Sequence, residues 1–176
     1  TCDLIKNIRA LRKPVVAALN GTAAGAGAVI ALASDLRVAS EKAKIAFLFT
    51  KVGLAGADMG AAFLLPKVVG LSRATELLMF GDVIDAPTAE RDGRGNKVVP
   101  NELVVSEAMG WAQRLACGPT FALGRTKELL NGELSIDLWN ALENEARAQA
   151  VCMQTQDFRE AYDAFSNKRQ PNFQGK

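Results

Sequence analysis

Two glycines flank an alanine at the point where an apolar strand gives way to an apolar helix. The strand-like run Pro14–Leu19 is followed by Gly25, Ala26 and Gly27, which open a predicted helix over residues 25–33. Backbone N–H groups in the first helical turn have no partner inside the helix, and the helix dipole adds partial positive charge there. Small side chains let a ligand oxygen approach those N–H groups closely. The pattern suits an anion or oxyanion site, but the same glycines also suit close packing of the helix on a strand, which is what so short a glycine motif favours by itself.

The residue types limit which groups could work beside such a site. The chain contains no histidine, so a Ser–His or Cys–His nucleophile pair and a histidine-ligated metal are excluded within it. Proton transfer must then fall to Asp, Glu, Lys, Tyr, Cys or bound water. Asp58, in the loop sequence GLAGADMG, precedes a helical pattern. It is either a helix N-cap or a proton carrier.

Composition narrows the class of protein and of partner. The 176 residues are 49% apolar, enough for one domain with a core, and the net charge of +2 gives no basis for nucleic-acid binding. Three scattered cysteines without a C-x-x-C pair indicate reduced thiols. We find no signal-peptide pattern and no apolar run long enough to cross a bilayer. We therefore expect a cytoplasmic protein without a metal site or a membrane partner.

The hydrophobic periodicity changes along the chain. Strand and helix patterns alternate at first, whereas only helical patterns follow. We predict an α/β region over residues 1–100 and a helical region over residues 101–176. The predicted strands are 15–19, 35–40, 44–49, a brief one between Gly81 and Pro87, and 96–100, with the first buried on both faces. The predicted helices are 3–12, 25–33, 58–69 with a kink or break at Pro66, 71–81, one starting at Pro87, 101–117, 119–131, 135–155 and 157–168.

The helix predicted over 135–155 carries a broad apolar stripe. It comprises Ile136, Leu138, Trp139, Leu142, Ala146, Ala150 and Met153. Such a stripe covers either an intramolecular core or a subunit interface, and the pattern favours neither.

Three segments, in order, resemble the crotonase superfamily of enoyl-CoA hydratases and isomerases. They are KPVVAALNGTAAGAGAVIALASDLRVAS, GLAGADMGAAFLLPKVVGLSRATELLMFGDVIDA and DFREAYDAFSNKRQPNF, which together run from Lys13 to Phe173. The resemblance implies the C-terminal part of a crotonase-like ββα spiral, followed by an α-helical oligomerisation region. It also implies that the family's N-terminal strands would precede residue 1.

The resemblance implies roles for the candidate site. Ala26 would donate one backbone N–H to the thioester oxygen of an acyl-CoA, between Gly25 and Gly27, and the second donor would come from the preceding segment. Val29 and Phe49 stand where family hydratases carry two glutamates, so standard hydration is disfavoured and both residues would line an apolar acyl pocket. Asp58 lies in the loop where other branches, such as dienoyl-CoA isomerases, use an aspartate as base.

The C-terminal segment resembles the part of the family that reaches the coenzyme of a neighbouring subunit. Phe165 would contact the adenine and Lys168 the phosphates, which requires a trimer or a hexamer. The implied function is acyl-CoA processing by enolate stabilisation, of hydratase or isomerase type, with coenzyme A only as part of the substrate. The alternatives are a catalytically inactive acyl-CoA-binding subunit or fragment and a purely structural helical partner.

Overall fold

Six strands and nine α-helices make up the part of the chain that the computed structural model describes, residues 1–93 and 95–176. The strands are β1 Val16–Leu19, β2 Ala23–Ala24, β3 Leu36–Ser40, β4 Lys44–Ala46, β5 Ile84–Asp85 and β6 Lys97–Val99. The helices are α1 Cys2–Ala10, α2 Ala26–Ala33, α3 Ala61–Val69, α4 Leu71–Phe80, α5 Ala86–Arg91, α6 Val104–Ala116, α7 Thr120–Gly132, α8 Leu138–Cys152 and α9 Gln156–Ser166. Short 3₁₀ helices cover Leu48–Val52, Asn101–Leu103 and Glu133–Ser135.

The residues group into two compact units. Unit 1 comprises Thr1–Arg9 and Val15–Trp111 and holds all six strands; unit 2 comprises Ala10–Pro14 and Ala112–Lys176. The change of unit falls inside α6, whereas the sequence pattern placed the change of region at residue 100.

Unit 1 contains two three-stranded sheets. One has the order β1-β3-β6 with every pair parallel, and the other has the order β2-β4-β5, in which β4 and β5 are antiparallel. The expectation that the first strand is buried on both faces is wrong for these residues, because Ala18 of β1 is exposed. The central strand β3 is the buried one, with Val38, Ala39 and Ser40 at 1% exposure or less.

Helix α2 forms the middle of the unit 1 core. Five of its eight residues are buried, and four of those five are alanine or valine, whose small side chains allow close packing. Beyond its end, the Asp35 carboxylate accepts a 2.7 Å hydrogen bond from the Val15 N–H, and Arg9 lies 3.6 Å from the other carboxylate oxygen. Asp35 therefore ties the chain before β1 to the chain before β3.

Two local predictions differ from the structure. The strand predicted over 44–49 ends at Ala46, and Phe49 lies instead on the 3₁₀ helix Leu48–Val52. This helix is closed by Gly53 in the left-handed conformation, whose N–H donates to the Thr50 carbonyl. Helix α3 passes through Pro66 without a break and ends only at Gly70, whose N–H donates to the Pro66 carbonyl at 2.9 Å.

The C-terminal end of α2 is held by a buried guanidinium. Arg37 is 8% exposed, and its Nη1 donates to the carbonyl oxygen of Ser34 at 2.6 Å and to those of Ala31 and Leu32 at 3.3 Å. Burial lowers the pKa of Arg37, and the charge of Asp35 opposes that shift. These carbonyls end a helix and have no intrahelical partner, so the arginine supplies their donors.

Replacing Arg37 with methionine is expected to reduce the free energy of unfolding by about 2 to 4 kcal/mol. The reason is that buried carbonyls lose a charged donor and gain none. Urea denaturation followed by circular dichroism measures the loss. The matched control is Arg147→Met, because Arg147 forms an exposed ion pair with Glu143 on α8, a pair worth about 0.5 kcal/mol or less. Equal losses in the two variants would contradict the role assigned to Arg37.

Candidate functional site

The turn that opens α2 is shaped by Gly25. Its φ of 52° and ψ of −120° lie outside the regions that L-residues favour, and it occupies the N-cap position without a side-chain cap. The Gly25 N–H donates to the Ala46 carbonyl at 2.9 Å, which fixes the turn to the end of β4. The parallel pairing of Ala24 with Ala46 brings the two segments together.

The first N–H groups of α2 face outward. Ala26 and Gly27 are exposed, and among the described residues the Ala26 N–H has no acceptor. The helix dipole places partial positive charge at the same end of α2 as these free donors. The start of α2 can therefore accept a ligand oxygen that carries negative charge.

The structure brings Phe49 to this turn. A Cβ on Gly25 would lie 4.0 Å from Phe49 Cε1, so the ring edge stands against the turn before Ala26. Phe49 is only 8% exposed and supplies an apolar wall.

Val29, the other predicted pocket residue, is placed differently. Its side chain has no exposed surface and packs within the unit 1 core. Val29 thus lies on the inner face of α2, and its contact with an acyl group stays a prediction.

Asp58 lies in the loop between the 3₁₀ helix and α3. The Leu54 N–H at the start of this loop donates to the Phe49 carbonyl at 2.9 Å. Phe49 is the residue whose ring lies against the Gly25 turn. Asp58 itself is exposed, and its Oδ1 accepts a 2.8 Å hydrogen bond from the Met59 N–H. Its Oδ2 accepts no hydrogen bond from the residues that the structure describes. One carboxylate oxygen therefore remains open to a ligand.

The helix-cap interpretation of Asp58 is wrong in the form predicted. The N-cap of α3 is Gly60 in the left-handed conformation, and no side chain caps that helix. Asp58 instead bonds to its immediate neighbour, and Met59 adopts a φ of 52° with its side chain 5% exposed. A non-glycine residue with positive φ costs about 1 kcal/mol or more, and such strain is typical of functional segments.

An apolar cavity lies beside the segment that leads to Asp58. It measures about 290 Å³, and its walls include Gly56 and Ala57 together with residues of α3 and α4 such as Pro66 and Leu78. Gly56 must be glycine, because a Cβ there would lie 2.2 Å from the Leu78 carbonyl oxygen. The loop is thus pressed onto α4, and Asp58 directly follows Ala57 of the cavity wall.

In unit 2, the predicted coenzyme contacts lie together at the end of α9. Phe165 is 84% exposed, and Lys168 follows the helix with a φ of 52°. The Lys168 N–H donates to the Phe165 carbonyl at 3.1 Å, and the Arg169 N–H donates to the Ala164 carbonyl at 3.0 Å. This pair of bonds is a Schellman turn, in which the left-handed position usually carries glycine.

The stripe predicted on the helix over 135–155 is exposed in unit 2. Trp139 is 77% exposed, Leu138 66% and Met153 58%. The described chain does not bury these three side chains, and the subunit-interface alternative stays a prediction.

Within residues 1–93 and 95–176, no group of three or more His, Cys, Asp or Glu residues is arranged to hold a metal ion. None of the described helices has both the length and the apolar character needed to cross a membrane.

The sequence model of the enoyl-CoA hydratase/isomerase family matches residues 1–176. The chain belongs to this family. It is thereby a member of the crotonase superfamily, and the resemblance carried by the three segments is confirmed.

Individual family members agree with this assignment. The 1,2-epoxyphenylacetyl-CoA isomerase of Escherichia coli K12 is 39% identical over 98% of this chain and 66% of its own length. The crotonyl-CoA hydratase of Syntrophomonas wolfei is 38% identical over 94% of this chain and 64% of its own length. A Streptomyces coelicolor A3(2) crystal structure of the family superposes with a TM-score of 0.96 at 49% identity, covering 98% of this chain and 62% of that one.

The expected α/β, crotonase-like fold is confirmed. The chain spans a little under two thirds of the length of these relatives.

Sequence patterns missed two features of this family member. One is the conformation of Met59. Its positive φ and its buried side chain leave the Asp58 carboxylate exposed, and no residue type in the loop indicates this conformation. The other is a pair of carboxylates on α9, Asp157 and Glu160, which bind the C-terminal residues. Their spacing of three residues places them on one helix face and could have indicated a shared partner.

Proposed function

We propose that this chain binds an acyl-CoA thioester and stabilises its enolate at the start of α2, with Asp58 as the proton carrier. The observation that carries the proposal is the exposed Ala26 N–H at a helix N-terminus that has no acceptor among the described residues. A thioester oxygen that gains negative charge is the kind of group such a donor stabilises.

The Asp58 carboxylate takes a proton from a carbon of the acyl chain. The electron pair of that C–H bond moves toward the thioester, and negative charge develops on its oxygen. Return of the proton to a different carbon shifts the double bond, which is isomerisation. The open Oδ2 of Asp58 supports this role, since it is free to receive a proton.

Isomerisation is favoured over hydration because water addition needs a second acid or base. The two positions where the family's hydratases carry glutamates hold Val29 and Phe49, which are 0% and 8% exposed. Phe49 beside the Gly25 turn and the cavity near Gly56 support an apolar acyl group. No cofactor is needed beyond the coenzyme A of the substrate.

The coenzyme end would be bound by Phe165 and Lys168, an aromatic face for the purine and an ammonium for phosphate. We propose that the chain self-associates as a trimer or hexamer, so that these residues serve a neighbouring copy. The exposed stripe on α8, with Trp139 at 77%, supports such an interface.

A second candidate function is a catalytically inactive acyl-CoA-binding subunit. The observation that favours it is the absence of an acid at Val29 and Phe49, two positions where the family's hydratases carry one. This candidate needs the coenzyme contacts and the α2 donor but no proton carrier.

Proton NMR of crotonyl-CoA with the purified chain in D₂O tests the proposal. We expect double-bond migration or exchange of chain protons for deuterium, without a 3-hydroxy product. Formation of the 3-hydroxy product would contradict the isomerase proposal and require another acid and base. Unchanged spectra together with coenzyme A binding, measured by calorimetry, would support the inactive subunit instead.

A further inference from the structure

The C-terminal residues of unit 2 fold back along α9 and are held by two of its carboxylates. Glu160 accepts a hydrogen bond from each terminal nitrogen of Arg169, one of them at 2.8 Å, and one from the Asn172 N–H at 2.7 Å. Asp157, 4% exposed, accepts from the N–H groups of Gln174 at 2.7 Å and Gly175 at 2.9 Å. We call residues 167–176, so held, the C-terminal latch.

The latch closes the Schellman turn that carries Lys168. Arg169, the residue after Lys168, is both the donor to the Ala164 carbonyl and the partner of Glu160. Its guanidinium therefore fixes the chain direction directly after the left-handed residue. A bidentate arginine–carboxylate pair is the strongest such contact available to exposed side chains. The Arg169 hydrogen bonds, followed by that of Asn172, lower the pKa of Glu160 to about 2, so the pair stays charged near neutral pH.

Lys168 is the unexpected residue in this turn. The left-handed position of a Schellman turn usually carries glycine, because an L-side chain is strained there. Strain of this kind persists where the surrounding structure over-determines the conformation and is commonly found at functional positions. The turn thus carries a lysine at a position where glycine would be more stable, and the contacts of the latch hold that lysine in the left-handed conformation.

We propose that Glu160 is a positioning residue for coenzyme recognition, an inference that rests on the proposed function. Through Arg169 and Asn172 it holds the 165–169 turn so that the Lys168 ammonium and the Phe165 ring are presented together to the nucleotide of coenzyme A. Glu160 itself touches no ligand.

The test compares Glu160→Gln with the matched control Glu143→Gln, which removes a glutamate from the Glu143–Arg147 ion pair on α8. Calorimetry gives the Kd for adenosine 3′,5′-bisphosphate and for coenzyme A, and hydrogen exchange monitors the Asn172 amide. We expect Glu160→Gln to raise both Kd values about tenfold and to speed exchange at Asn172. In Glu143→Gln, the two Kd values and the rate of exchange at Asn172 should stay within twofold of those of the unsubstituted chain.

A substrate without the nucleotide distinguishes a loss of nucleotide recognition from a general loss of structure or activity. Crotonyl-pantetheine lacks the nucleotide, so its KM and turnover should not change in Glu160→Gln. Equal weakening with crotonyl-pantetheine and crotonyl-CoA would overturn the proposal, as would faster Asn172 exchange with unchanged nucleotide affinity. If Glu160→Gln fails to fold, Arg169→Gln tests the same contact from the other side, with the same expected result.

A third variant probes the strained turn. Lys168→Gly should raise the thermal midpoint, because the strain is relieved, while lowering nucleotide affinity about tenfold or more. A lower midpoint or an unchanged affinity would contradict the role of the turn. A chain without substitutions that binds neither nucleotide nor coenzyme A would instead overturn the proposed function itself, and this inference with it.

Discussion

Replacing Ala26 with proline is expected to lower the rate of proton exchange or isomerisation about 10² to 10³-fold while leaving the fold intact. The substitution removes one backbone N–H, and loss of a single oxyanion donor has an effect of that size. The measurement is the initial rate of change in the crotonyl-CoA spectrum in D₂O, with circular dichroism as the check of folding.

The fold should tolerate this proline for three geometric reasons. Ala26 is the first residue of α2, a position that proline favours because its missing N–H has no intrahelical role. The fixed φ of proline, about −65°, matches a helix. The preceding residue, Gly25, has a ψ of −120°, which for an achiral residue mirrors the ψ of about +120° favoured before proline.

The control is Ala26→Gly, which keeps the N–H and removes only a methyl group. We expect it to retain activity within a few-fold. A folded Ala26→Pro chain that reacts as fast as Ala26→Gly would show that this N–H is not the donor.

Asp58→Asn is expected to reduce the same reaction about 10² to 10⁴-fold, the range for loss of a positioned general base. The amide is nearly isosteric, and its oxygen can still accept the hydrogen bond from the Met59 N–H, so the loop should keep its shape. Binding of coenzyme A should therefore persist while turnover falls. Calorimetry and the D₂O experiment measure the two effects separately.

Asp82→Asn provides the matched control for Asp58. Asp82 is also an exposed carboxylate of unit 1, 67% exposed and 3.0 Å from the Lys51 ammonium, and it has no part in the proposed reaction. Its variant should react at the unsubstituted rate. An Asp58→Asn chain that reacts as fast as Asp82→Asn would remove Asp58 from the mechanism.

The start of α2 was predictable because it depends on local backbone chemistry. Gly25 and the helix that begins at Ala26 follow from the glycine pattern alone, and the structure places both within one residue of the prediction. The proposed donor is a backbone N–H, so its position depends on where the helix starts and not on how a side chain packs. Its anchor, the bond from Gly25 to Ala46, is a contact between strands distant in the chain and has no sequence signal.

Phe49 and Asp58 show why other parts of the site escaped prediction. The run before Phe49 is apolar and short, and such runs do not distinguish a strand from a helical turn. The 3₁₀ helix there is selected by the left-handed Gly53 and by the bond from Leu54 back to Phe49. At Asp58, an aspartate shortly before a helix is typical of a cap, but the buried side chain of Met59 reorients the loop. Burial of that kind belongs to tertiary structure.

The parallel sheet of unit 1 has a further consequence, for the order in which the chain acquires its structure. Strand β6 pairs with β3, and the bond between the Asn96 side chain and the Arg37 N–H spans 59 residues of sequence. Such a closure is entropically unfavourable until the intervening segment has condensed, and chains rich in long closures fold slowly. On the ribosome, β1 and β3 can pair as soon as residue 40 emerges, whereas β6 can join β3 only after residue 99 is made. The edge of β3 that β6 covers is therefore open to other nascent chains while residues 41–99 are made.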